Sequence, residues 1–318
     1  SKISIRSELY NQFFSTENKL IQTDEYHSGN LYRIFPIIGL KIESPFKLKN
    51  NNYNLTYKPY SQLILSPGLS NNNKLSNEDS SNNNFSLDNF DALNRYSGSD
   101  KMDNSKRINY GFVISNNLIK LKLSQNYEFT DNSNFHKEQG NDDNLGDILG
   151  TFDYEKVNTL NYNFRYDVGE EYLKEQNINL NSKNNFGDLN ISYLDQKKKV
   201  DNIITQDTET INYELKTKKF YKFSKINVSG LYDLTKEINT EYTVGYSYFD
   251  ECFGINVDFS RKSYKEDNLK PQDILTLMFS FKNIGSYKST NLAVSEDDKQ
   301  DIKWEGDEVD LDKFERYE

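Results

Sequence analysis

Hydrophobic and polar residues alternate with a period of two in one segment after another along this chain. In 118–129, for example, Ile119 and Leu121 alternate with Lys120 and Lys122. This period places one set of side chains on each face of a β-strand, whereas a helix needs a period near 3.6. We therefore expect a sheet with one apolar and one polar face. Similar segments lie at 2–14, 31–43, 53–66, 107–115, 147–155, 159–168, 174–182, 186–195, 208–217, 220–232, 239–249, 252–264 and 272–284.

Composition supports an all-β fold. The chain has only two alanines but 23 Tyr and 20 Phe. Alanine is the strongest helix former and aromatic residues favour strands, so a mainly helical fold is disfavoured. A single cysteine excludes a disulfide scaffold. No stretch reaches the roughly 18 apolar residues that a transmembrane helix needs.

The connections between the predicted strands alternate in length. One of them, 67–106, has about 40 residues. Long loops at one end and tight turns at the other are typical of an outer-membrane up-and-down barrel, whose tight turns face the periplasm. A soluble sandwich has no physical reason to sort its loops in this way. The short connections are Asn116-Asn117, Lys156–Asn158, Lys183–Asn185, Lys218-Lys219 and Asp250-Glu251.

These patterns predict an antiparallel, up-and-down transmembrane β-barrel with a polar lumen. Because the first predicted strand begins at residue 2, we interpret the chain as about 14 strands of a larger barrel. Residues 1–285 would form its C-terminal part, including the long loop 67–106. Residues 286–318 carry eleven acids against five bases and are expected to be an acidic tail. The alternatives are another barrel channel of porin type and, less favoured, a soluble secreted β-rich adhesin.

Several function classes are disfavoured. The net charge of -10 makes nucleic acid a poor partner. The two histidines, His27 and His136, fall in different long loops with no Ser or Asp placed convincingly beside them. One cysteine and two scattered histidines lack the spacing of metal ligands. We therefore predict no catalytic residues, no metal site and no cofactor.

Two segments carry a resemblance to a known family. The first contains Asn94-Arg95-Tyr96-Ser97-Gly98 followed by Asp100, ahead of a predicted strand. The second is 248–262, in which Cys252 directly follows a predicted tight turn. Together they resemble the outer-membrane LPS-assembly protein family LptD, also called OstA or Imp. The similarity runs over roughly residues 75–285.

The resemblance implies a lipopolysaccharide transporter in the outer membrane of a Gram-negative bacterium. In that family the barrel inserts lipopolysaccharide into the outer leaflet through a lateral gate between its first and last strands. The implied partners are lipopolysaccharide, an LptE-like plug lipoprotein and the periplasmic LPS-bridge proteins. We expect the family's N-terminal domain and first strands to lie outside this chain. The sequence has one cysteine where some relatives have an adjacent pair.

The resemblance also suggests roles for individual residues. Cys252 would form a disulfide with a periplasmic part outside this chain, or would remain an unpaired thiol. The polar face of 272–284 would line the gate or simply the lumen; its residues are Ile274, Thr276, Met278 and Ser280. Lumenal cations would contact lipopolysaccharide phosphates or would only be solvated; these are Lys120, Lys122 and Arg165.

Overall fold

The computed structural model is an antiparallel, up-and-down sheet of sixteen strands. It describes residues 1–19, 26–50, 53–67, 79–80, 86–130, 144–200, 203–218, 223–263, 271–281 and 285–293. The strands are β1 (Lys2–Lys19), β2 (Tyr26–Glu43), β3 (Phe46–Asn50), β4 (Tyr53–Leu65), β5 (Lys106–Ser115), β6 (Ile119–Glu128), β7 (Ile148–Glu155), β8 (Asn158–Asp167), β9 (Tyr172–Lys183), β10 (Gly187–Val200), β11 (Ile203–Thr217), β12 (Ser224–Asp233), β13 (Ile238–Phe249), β14 (Phe253–Lys262), β15 (Gln272–Phe281) and β16 (Gly285–Ala293). They lie side by side in chain order, and only β3 is off this path. The predicted fold class is confirmed.

The two faces of the sheet differ as the alternation predicts. One face, the outer face, exposes large apolar side chains such as Ile5 at 73% and Phe13 at 67%. The opposite, inner face carries buried polar residues, among them Gln62, Asn109 and Asn126. An apolar outside and a polar inside are the arrangement of a membrane-spanning barrel. The described residues contain no helix that is long and apolar enough to cross a membrane.

Tight turns occur at one end of the sheet where they were predicted, for example at 116–118 and 250–252. At the other end, two connections predicted as long loops are mostly strand. β10 and β11 continue their pairing as far as Val200 and Ile203, and β1 and β2 extend in the same way. Charged residues such as Lys197 interrupt the alternation there, although the backbone ladder continues.

The short strand β3 was not predicted, and it explains an unusual proline. Pro59 lies within β4, where it cannot donate a ladder hydrogen bond. The ladder of β4 with β3 ends at Tyr57, and its ladder with β2 begins at Tyr60. The missing N–H therefore falls where β4 changes partner.

The C-terminal end differs from the prediction. β15 is not the last strand, because β16 pairs antiparallel with it. β16 covers residues that were assigned to the acidic tail, and its sequence lacks the alternation that marks the other strands. The rest of that tail, 294–318, lies outside the described residues. Within the part of the chain that the structure describes, β1 and β16 do not pair with each other, so the sheet is open.

Candidate functional site

Part of the long connection between β4 and β5 packs against the inner face of the sheet. We call residues 86–105 the inner loop. Its apolar anchors Phe90, Leu93 and Met102 are at most 3% exposed. They pack on apolar side chains of the inner face, so loop and sheet together form a local hydrophobic core. Their buried partners on the sheet are Phe35, Ile37, Tyr60, Ile64 and Leu149.

A buried ionic network joins the inner loop to β5 and β6. Arg95 donates from Nε to Asp103 Oδ2 at 2.6 Å and from Nη2 to Oδ1 at 3.2 Å. Arg107 of β5 donates to the same Asp103 Oδ2 at 2.8 Å. Glu128 of β6 lies 3.6 Å from Arg95 Nη2 and accepts a hydrogen bond from the backbone N–H of Lys106 at 2.8 Å. These four side chains are at most 1% exposed, so each charge depends on its partners for compensation.

The Asn-Arg-Tyr-Ser-Gly segment shapes the loop that holds this network. The Asn94 side-chain oxygen accepts from the Asp103 N–H at 3.0 Å. Gly98 has a φ of +80°, and a Cβ there would lie 2.5 Å from the backbone oxygen of Asp79. Glycine is therefore required both by conformation and by space. The carboxylate of Asp79 accepts from the N–H groups of Ser99 and Asp100, both at 2.8 Å.

Two loop groups have displaced pKa values. Desolvation raises the pKa of Asp79, but the hydrogen bonds from Ser99 and Asp100 outweigh it and hold the pKa well below its usual range. Desolvation also raises the pKa of Tyr96, to about 12, with help from the Asp103 carboxylate. Tyr96 therefore stays neutral and Asp79 stays charged at physiological pH.

Lysines gather on the inner face beside the inner loop. We call Lys41 of β2, Lys58 of β4, and Lys120 and Lys122 of β6 the lysine patch. The loop residue Asp91 reaches this patch, and its Oδ2 lies 3.0 Å from Lys41 Nζ and 3.8 Å from Lys122 Nζ. Lys120 and Lys122 therefore lie on the inner face, as predicted.

The third predicted cation, Arg165, lies elsewhere. It is on the inner face of β8, and its Nε is 3.0 Å from Asp147 Oδ2. Lys174 is 3.4 Å from the same Asp147 oxygen and 2.6 Å from Asp167. All four side chains are at most 10% exposed. Arg165 thus belongs to a separate, internally balanced cluster, and its contact with lipopolysaccharide stays a prediction.

The remaining predicted residues lie in β15 or in the turn between β13 and β14, close to the C-terminal edge of the sheet. Cys252 is exposed in the turn between β13 and β14 and is a free thiol. A disulfide within the chain is impossible because there is no second cysteine. The β15 residues predicted for the gate share the inner face with their β14 register partners, of which Asp258 and Asn256 are two. Those residues are Ile274, Thr276, Met278 and Ser280.

Sequence reasoning missed Tyr60, Asp91 and the lysines of β2 and β4. One signal could have pointed toward this region: residues 34–40 are almost entirely apolar, and a run without alternation is typical of a strand that is buried on both faces. The packing of the inner loop on Phe35 and Ile37 supplies that burial. Among the described residues, no three of His, Cys, Asp and Glu are grouped so that they could hold a metal ion.

A family comparison identifies the chain. The family described as "LptD: LPS transport system D" matches residues 1–238, which is more than half of the chain. The chain belongs to the LptD family. LptD is a family of transport and assembly proteins, not of enzymes. The match includes the inner loop and the lysine patch, whereas the turn with Cys252 lies beyond the matched residues.

Solved structures give weaker likenesses. One variant of the Rh. blastica porin is 9% identical, covers 88% of this chain and 95% of its own, and has a TM-score of 0.31. A second variant, of the Rhodopseudomonas blastica porin, is also 9% identical and covers 90% and 97%, with a TM-score of 0.29. No curated protein matches the chain.

Proposed function

We propose that this protein is an outer-membrane transporter that inserts lipopolysaccharide into the outer leaflet of a Gram-negative bacterium. The observation that carries the proposal is the LptD match over residues 1–238. The two faces of the sheet support it, because a polar inner face suits the sugar part of the molecule and an apolar outer face suits lipid.

The proposal includes a lateral gate at the edge of the sheet beyond β15. Because β16 pairs with β15 and lies between it and that edge, the inner-face residues of β15 would line the lumen next to the opening. Backbone groups left unpaired in lipid are costly, so the free edges of β1 and β16 would meet other strands in the membrane. An LptE-like lipoprotein would plug the lumen, and periplasmic bridge proteins would deliver the lipid.

Depletion of the full-length protein in its native host tests the function. We expect newly made lipopolysaccharide to disappear from the cell surface, as measured by surface labelling, and to return when a plasmid copy is expressed. Unchanged surface lipopolysaccharide would reject the proposal. The purified protein should also conduct few ions in planar bilayers, since steady, large conductance would favour a porin-like channel instead.

The disulfide of Cys252 is a separate proposal that electrophoresis of the native protein can test. We expect a mobility difference between non-reducing and reducing conditions that disappears in the Cys252→Ser variant. Identical mobility in both conditions would mean that Cys252 remains a free thiol.

A further inference from the structure

The lysine patch contains more positive charge than the wall around it neutralises. Its four ammonium groups face three carboxylates: Asp91 and Glu43 form ion pairs with the patch, and Asp153 of β7 is the register partner of Lys120. Glu43 Oε1 lies 3.4 Å from both Lys41 and Lys58. Lys120 makes no ion pair with any residue that the structure describes. The patch therefore has an excess of one positive charge, and Lys120 is a cation that is open to a further ligand.

The two carboxylates that form ion pairs with the patch have different origins. Glu43 belongs to the wall itself, at the end of β2. Asp91 comes from the inner loop, and its side chain remains 35% exposed. A single oxygen of Asp91 makes both of its ion pairs with the patch. Asp91 is therefore a counter-ion that can be exchanged without disturbing the strands.

Tyr60 fixes the positions of the lysines around this carboxylate. Lys41 Nζ lies 5.0 Å and Lys122 Nζ 5.8 Å from the centre of its ring. Gly111 of β5 lies between Tyr60 of β4 and Ser124 of β6, because it is the register partner of both. The Tyr60 ring extends across Gly111, and its hydroxyl lies 2.5 Å from Ser124 Oγ. Contacts between ammonium groups and the ring favour these positions without neutralising the charge. The cations are thus held in place before a ligand arrives.

We propose that the lysine patch binds the phosphate groups of a phosphorylated glycolipid during transport, and that Asp91 occupies the phosphate position until then. A phosphate monoester carries about 1.5 to 2 negative charges at neutral pH and offers three acceptor oxygens. It therefore matches two or three ammonium groups better than one carboxylate does. Binding would displace Asp91 and loosen this end of the inner loop. The inference rests on the proposed function, whose substrate class it specifies.

Binding measurements on the full-length protein with its natural partners in detergent test the proposal. The probes are diphosphoryl lipid A, the same acylated disaccharide without phosphates, and inorganic phosphate. We expect the double variant Lys120→Gln/Lys122→Gln to bind diphosphoryl lipid A about tenfold more weakly, because two charge-assisted contacts are lost. Lys122→Arg keeps the charge and should bind within about twofold of the wild type. Lys225→Gln, on the inner face of β12, is the matched control and should leave affinity unchanged.

Asp91→Asn tests the role of Asp91 as an exchangeable counter-ion separately from phosphate binding by the lysine patch. Because the competing carboxylate is removed, affinity for diphosphoryl lipid A should rise about fivefold, while affinity for the dephosphorylated lipid should not change. Unchanged or weaker phosphate binding in Asp91→Asn would overturn the role of Asp91. Normal binding by the double lysine variant would overturn the patch as a phosphate site. Equal binding of inorganic phosphate would show that the site takes the free ion and would overturn the lipid assignment.

The surface-labelling assay distinguishes failure of this inference from failure of the proposed function. If depletion removes surface lipopolysaccharide but the double lysine variant binds and delivers it normally, only the phosphate site is wrong. If depletion has no effect on surface lipopolysaccharide, the proposed function itself is wrong.

Discussion

Two parts of the sheet share the same alternation but differ in what lies on their inner faces. In β2 and β4–β7, the covered sector, the inner loop packs on the wall. In β10–β15, the open sector, inner-face residues such as Asn212, Lys216 and Lys225 are exposed. Among the residues whose burial the structure describes, the buried apolar side chains all lie between Phe35 and Tyr172.

The difference shows that alternation and burial are separate properties. Alternation decides which face a side chain occupies. Burial on the inner face depends on whether another segment covers that face. Asn109 and Lys216 both point inward, but only Asn109, which donates to the backbone oxygen of Phe90 at 2.6 Å, is buried. The covered sector should therefore respond to mutation like a protein core and the open sector like a wet surface.

The largest effect is expected from Arg95→Met. This change leaves the carboxylates of Asp103 and Glu128 buried with less compensation, which should lower the free energy of unfolding by about 3–5 kcal/mol. Urea titration of the refolded protein in detergent micelles measures it. The matched control is Lys216→Met in the open sector, whose ion pair with Glu214 is largely exposed and should be worth less than about 1 kcal/mol. Equal losses for the two variants would contradict the comparison.

Phe90→Ala should be similarly damaging for a different reason. The ring is fully buried, so its removal leaves a cavity and should cost about 3–5 kcal/mol. Leu231 also lies on the inner face but is 36% exposed, so Leu231→Ala should cost less than half as much. Limited proteolysis should cut the inner loop faster in Phe90→Ala. A loop that stays protected would mean that the apolar anchors do not hold it.

A smaller, pH-dependent effect is expected from Asp147, at the border of the two sectors. Burial raises the pKa of its carboxyl to about 6, despite the nearby Lys174 and Arg165. Since the folded state binds this proton more tightly than the unfolded chain, the contribution to stability is largest below the unfolded pKa and is lost as pH rises through about 6.

Asp147→Asn should therefore remove part of the pH dependence. Between about pH 4 and 7, the wild type should lose about 1–2 kcal/mol more stability than the variant does. Urea titrations across this range measure the difference. Parallel curves for the two proteins would show that Asp147 does not titrate there.

The smallest effect is expected from Gly98→Ala. The added Cβ meets the Asp79 backbone oxygen in a left-handed conformation, so we expect a loss of about 1 kcal/mol. The change should loosen the segment around Asp100 while leaving the Arg95–Asp103 pair formed. Protease cleavage near residue 98, compared with cleavage in β13, measures this. No increase in cleavage would show that the turn tolerates a side chain.

Local alternation predicted many strands to within a residue or two. The predicted strands 107–115 and 159–168 match β5 and β8 closely. The prediction was less accurate at the C-terminal end of β10, where Lys197 and its neighbours are charged, and it missed β16, whose sequence is mostly polar. In these segments backbone pairing continues without an apolar face, so the sequence carries no signal of it.

The sequence by itself determined the all-β class, the position of Lys120 and Lys122 on the inner face, and the family resemblance in the inner loop. These follow from the period of a strand and from short contiguous motifs. Only the tertiary structure showed that Asp91 meets Lys41, 50 residues away in the chain, and that Arg95 pairs within a buried network. Such contacts depend on how a long loop folds back across several strands, and no local pattern encodes that path.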